Sequence, residues 1–102
     1  SGVVSLAKSM SVDLIKDNIT INNVCPGAFK TERAIQLMSF AADKQNVSIE
    51  EIEANSAKTL PLGRFQQPKE LGDIVTFLCS ELAKGITGTT TQIDGGISKG
   101  LL

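Results

Sequence analysis

Two short segments rich in β-branched residues, Ile19–Cys25 and Thr89–Asp94, are separated by a long stretch of helical periodicity. Each ends in turn-forming residues, Pro26-Gly27 after the first and Gly95-Gly96 after the second. Strands joined through helices pair in parallel by a right-handed crossover. A parallel sheet, however, is buried on both faces and needs more than two strands to be stable. The sequence therefore predicts an α/β chain forming one end of a larger doubly wound parallel sheet, with two strands plus helices contributed here.

The helices follow from spacing and caps. Val3, Leu6, Ala7, Met10 and Leu14 recur every three or four residues and predict an amphipathic helix over 2–17, ended at Asp17-Asn18. Ser1 is a weak N-cap for it, and the abrupt start reads as the interior of a helix begun elsewhere. Thr31 is placed to cap a helix reaching about Ala42. Ser48-Ile49-Glu50-Glu51 has the form of a capping box, with Val47 and Ile52 as a hydrophobic staple, for a short helix to about Lys58. Pro68 suits a first helical turn, and Leu71, Ile74, Val75, Leu78 and Leu82 carry the apolar stripe of a helix over 68–83, with Gly85 as its C′ residue. No repeat, low-complexity run or linker interrupts the chain, so no internal domain boundary is expected.

Composition narrows the chemistry. Ten Lys and Arg against 11 Asp and Glu leave a net charge of -1, without the basic stripe that nucleic-acid binding requires. His, Tyr and Trp are absent, which removes imidazole bases, Ser-His and Cys-His nucleophile systems and any tyrosine proton donor. Cys25 and Cys79 lack CxxC spacing and read as buried small residues rather than a disulfide or a zinc site. A reducing cytoplasm is the expected location, and charged residues interrupt every apolar run well before the ~20 residues of a membrane span.

Ligands of open α/β sheets bind beyond the carboxyl ends of the strands, which directs attention to Pro26–Thr31. Gly27 lacks a Cβ and lets a flat ring approach its backbone, so a β-branched replacement is expected to harm ring binding far more than folding. Thr31 offers a hydroxyl beside helix-terminal N–H groups suited to an amide or phosphate oxygen. The stretch between Thr31 and Gln67 is long enough for a lid, and Phe29, Leu37, Met38 and Phe40 are candidates for an apolar pocket or for core. Asp94 before two glycines reads as turn chemistry, and Glu50 and Glu51 as dipole-favoured residues of a first helical turn. No catalytic residue and no metal ligand is assigned.

Taken in order, Asn22-Asn23-Val24-Cys25-Pro26-Gly27-Ala28-Phe29-Lys30-Thr31, Pro61-Leu62-Gly63-Arg64-Phe65, Pro68-Lys69-Glu70-Leu71, and Ile86-Thr87-Gly88 through Asp94-Gly95-Gly96 are more specific than any one alone. Over essentially all 102 residues they resemble the carboxyl-terminal half of a classical short-chain dehydrogenase/reductase, similar to 3-oxoacyl-[acyl-carrier-protein] reductases. The resemblance implies a Rossmann-like sheet, NAD or NADP as cofactor, and hydride transfer between nicotinamide and a carbonyl or alcohol substrate. By position, Pro26 and Gly27 resemble residues beside the nicotinamide ring, and Phe29 and Thr31 those contacting its carboxamide and the pyrophosphate.

The family's Tyr-x-x-x-Lys motif would lie immediately upstream of Ser1, with the glycine-rich nucleotide loop further back. Asn22 matches a structural strand asparagine, and Glu32–Leu60 the variable substrate loop. That loop is longer here than in the shortest reductases, which argues against an acyl-carrier-protein substrate. Enoyl reduction is disfavoured by the Cys25-Pro26-Gly27 turn. A homodimer or homotetramer is expected, with the helices at 2–17 and 68–83 at its contacts. The alternative is a non-catalytic oligomerisation or binding module built on the same fold.

Overall fold

A computed structural model describes residues 2–98; the suggested cap at Ser1 lies outside them. Helix α1 (Gly2–Leu14) tightens into a 3-10 turn over Ile15–Asp17 and stops at Asn18, whose backbone is left-handed. The predicted extent and terminator agree with this, since asparagine adopts that conformation at low cost.

Strand β1 (Asn23–Pro26) pairs in parallel with β2 (Thr90–Ile93), in the register Asn23 to Thr90 through Pro26 to Ile93. The first strand starts later than expected because its partner does: Gly88, at φ +72°, bends the chain just before β2 begins at Thr90. Ile21 and Asn22 are held by other bonds. Ile21 accepts from the Gly88 N–H at 2.7 Å and donates to Thr87 Oγ1 at 3.1 Å.

Between the strands lie α2 (Glu32–Gln45), α3 (Ile49–Ala57) and α4 (Pro68–Leu78). Both predicted caps are present: Thr31 Oγ1 accepts from the Ala34 N–H at 3.2 Å, and Ser48 Oγ from the Glu51 N–H at 3.1 Å. Helix α2 runs past Ala42 to Gln45, where left-handed Asn46 ends it. Helix α4 stops at Leu78, short of the expected 83. Ser80 donates both its N–H and its hydroxyl to the Phe77 carbonyl, at 3.0 and 2.6 Å, and its extended backbone breaks the helix. Leu82 therefore sits on a separate 3-10 turn over Glu81–Ala83 and is 84% exposed, and Gly85 follows that turn rather than capping α4.

Among the described residues the buried apolar side chains are few: Ala7, Phe29, Met38, Ala42 and Ala83. Val3 and Leu6 on α1 are 70% and 61% exposed, and Ile74, Val75 and Phe77 on α4 are also uncovered. The radius of gyration is 17.5 Å, against about 13 Å for a compact domain of this length. These helices present apolar faces that a two-stranded sheet cannot cover. Cys25 is half-buried and Cys79 exposed, both unpaired, which corrects the expectation that both are buried; Cys79 closes α4 on its uncovered face. Among the described residues no helix is long and apolar enough to cross a membrane, and no group of three His, Cys, Asp or Glu is placed to hold a metal.

Candidate functional site

At the carboxyl end of β1 the Gly27 N–H makes a last bond to the Ile93 carbonyl at 3.1 Å, and the chain leaves the sheet. The next residues form a short strap. Phe29 bridges Gln66 in parallel, with the Lys30 N–H donating to Gln66 O at 2.8 Å and the Gln66 N–H to Ala28 O at 2.9 Å. Thr31 follows at once as the N-cap of α2. The strap is thus fixed on one side to the sheet and on the other to the segment leading into α4.

One concavity of about 270 Å³ opens here, lined by Pro26, Gly27, Phe29, Thr31, Pro68 and Leu71. The four residues picked from the sequence are brought together in it. Pro68 and Leu71 were missed as site residues, although they head the apolar stripe of α4. The walls are apolar and carry no titratable group. Among the lining residues the polar side chain is Thr31, whose oxygen serves as the helix cap, and the Phe29 N–H makes no hydrogen bond among the described residues. The first turn of α2 adds N–H groups without intrahelical partners. Such a surface can receive a flat amide-bearing ring and an adjacent anion; it cannot exchange a proton.

Gly27 has a further constraint. A Cβ there would stand 2.6 Å from Asp94 Cα and 2.7 Å from Asp94 Cβ, and its φ is not positive. The missing side chain is required by the neighbouring strand end, so the expectation that substitution spares folding omitted a packing cost. Asp94 itself accepts from the Gly96 and Ser98 N–H groups, both at 3.0 Å, as turn chemistry predicts. Asn22 clamps the opposite ends of the strands: its Nδ2 donates to Ile86 O at 3.0 Å, and its Oδ1 accepts from the Thr89 N–H and hydroxyl at 3.1 and 2.6 Å.

On the other side of the strap, α2, α3 and the return through Phe65 enclose a larger cavity of about 770 Å³. Met38 is buried against it, whereas Leu37 and Phe40 face outward, with Lys44 Nζ lying 5.1 Å from the Phe40 ring centroid. The apolar residues grouped from the sequence are therefore divided: Phe29 lines the smaller concavity, Met38 the larger cavity, and the other two neither.

Comparison with known proteins decides the family. Residues 1–98 match a family model described as enoyl-(acyl carrier protein) reductase. The 3-oxoacyl-[acyl-carrier-protein] reductase FabG of Aquifex aeolicus is 36% identical over 97 residues, 95% of this chain and 35% of that protein. The crystal structure of a short chain dehydrogenase family protein from Francisella tularensis superposes with a TM-score of 0.78 at 36% identity, over 93% of this chain and 39% of that one. The chain belongs to the short-chain dehydrogenase/reductase family. Among its structural relatives in that family is L-sorbose reductase from Gluconobacter frateurii, solved with NADPH and L-sorbose. It superposes with a TM-score of 0.86 at 30% identity, over 98% of this chain and 38% of the reductase. The chain thus spans little more than a third of the length of these short-chain dehydrogenase/reductase relatives, and its strands and helices are those of their Rossmann-like fold.

Proposed function

We propose that residues 1–102 are the carboxyl-terminal half of a single NAD(P)-binding domain, in an oxidoreductase moving hydride between nicotinamide and a carbonyl or alcohol carbon. The observation that carries this reading is the convergence of Pro26, Gly27, Phe29 and Thr31 on one concavity at the carboxyl end of β1. NADPH in the L-sorbose reductase complex supports it. When bound, the nicotinamide would donate or accept the hydride. Pro26, Pro68 and Leu71 give one apolar side to the ring, and the Phe29 N–H orients the carboxamide. The Thr31 hydroxyl donates to the carboxamide or to a pyrophosphate oxygen. The segment Glu32–Leu60 faces the substrate.

Proton transfer belongs to the rest of the polypeptide, because this chain has no Tyr or His. Residues 1–102 alone are accordingly expected to show no dinucleotide-dependent turnover. The uncovered apolar faces of α1 and α4 fit contacts with the remaining half and with further subunits of a homodimer or homotetramer.

The test is titration of the complete polypeptide with NADPH and NADH. Thr31→Val should weaken the tighter dinucleotide by about tenfold, the scale of one hydrogen bond to a charged group; Thr31→Ser, which keeps the hydroxyl and the cap, should retain binding. Absence of binding by either dinucleotide would overturn the proposal. It would instead favour a non-catalytic module, as would an upstream sequence without Tyr-x-x-x-Lys.

A further inference from the structure

The excursion between strap and α4 leaves and returns at one point. It departs through Lys30 and Thr31, and comes back at Gln66, which is hydrogen-bonded to both Ala28 and Lys30. Helix α2 is fixed directly to this neck through its Thr31 cap. Helix α3, in contrast, lies on the far side of the cavity of about 770 Å³. Among the described residues its only ion pair to another element is Glu53 Oε1 to Lys30 Nζ, at 2.9 Å, with both side chains about one-third exposed (33% and 34%). Lys30 stands between Phe29 and Thr31, which face the cofactor-side concavity, while Lys30 lines the excursion cavity. A single residue step thus joins the two cavities.

We propose that Lys30 and Glu53 are a positioning pair that couples occupation of the dinucleotide concavity to the placement of α3 over the substrate. The inference rests on the dinucleotide reading above. The Lys30 ammonium already holds the Glu53 carboxylate at 2.9 Å; a dinucleotide seated on Phe29 and Thr31 further restricts the Lys30 backbone between them, and through the pair the position of α3. Without the pair, the strap still binds the dinucleotide, but among the described residues α3 keeps no ion pair to another element and is held by its chain connections and its packing beside α2. The effect is modest in scale, since pairs of this exposure act in water of high dielectric and lose strength with salt.

Hydrogen exchange of the complete polypeptide, with and without whichever of NADPH and NADH titrates more tightly, tests the coupling. In the wild type the dinucleotide should slow exchange over both 26–31 and 49–57. In Glu53→Gln the dinucleotide affinity and the protection of 26–31 should persist. Protection of 49–57 should fall three- to five-fold, about 0.7–1 kcal/mol at about 1.4 kcal/mol per decade. Lys30→Met breaks the pair from the other side and should lose the same protection. The exchanged pair Lys30→Glu with Glu53→Lys should restore it, which a purely local packing role would not. Thermal melts establish that each variant is folded. Equal protection of 49–57 in wild type and Glu53→Gln, or none in a wild type that protects 26–31, overturns the coupling and leaves the dinucleotide reading standing. Failure of the wild type to bind either dinucleotide overturns both.

Discussion

Replacing Gly27 with alanine should destabilise the fold even though alanine is the smallest possible addition. The new Cβ would stand 2.6 Å from Asp94 Cα, 2.7 Å from Asp94 Cβ and 3.0 Å from Asp94 O. Carbon atoms pack at about 3.5–4.0 Å, so the two strand ends must separate by about 1 Å. That movement stretches the adjacent Gly27 N–H to Ile93 O bond, now 3.1 Å, beyond useful hydrogen-bonding distance. Overpacking of this kind costs about 1–3 kcal/mol, and the lost bond adds about 0.5–1.5 kcal/mol. A loss of roughly 2–4 kcal/mol is expected, read as a lower urea midpoint at unchanged slope. Dinucleotide titration on the same samples separates folding from binding. A Gly27→Ala protein with the wild-type midpoint but weakened dinucleotide binding would refute this reasoning, and would return Gly27 to a role at the ring alone.

The internal control is Gly72→Ala: Gly72 lies within α4, its φ is ordinary and nothing stands within 4 Å of its would-be Cβ, so the substitution should raise stability by about 0.5–1 kcal/mol in the same urea assay. Asn22→Ala removes three hydrogen bonds and strands the Thr89 N–H and the Ile86 carbonyl in a half-buried setting; a loss of about 2–3 kcal/mol is expected, with increased amide exchange at Thr89. Ser48→Ala deletes the hydroxyl that accepts the Glu51 N–H and should cost about 1 kcal/mol, with exchange rising in the first turn of α3 and not in α4.

Caps, turns and helix starts were legible in the linear sequence because each is decided within a few residues. Thr31 and Ser48 satisfy N–H groups three positions on, Pro68 gives up a donor that a first helical turn leaves unpaired in any case, and Asn18 takes the left-handed conformation locally. Parallel pairing was legible too, since two strands joined by helices have few other arrangements, and the ordered motifs around Pro26-Gly27 directed attention to residues that line one concavity. The end of α4 was not: an apolar stripe continues to Leu82, but the helix yields to Ser80, whose hydroxyl competes for the Phe77 carbonyl. Tertiary structure alone decided what depends on distant residues meeting in space. Gly27 is constrained by Asp94, 67 positions away, which only the register of β1 against β2 brings alongside. Pro68 and Leu71 join the concavity because Gln66 returns to pair with the strap, and Lys30 meets Glu53 because α3 folds back across the cavity. Local preference is set by the backbone and side chains of neighbours in sequence, whereas a site is set by which chain segments share a volume, and that follows from packing.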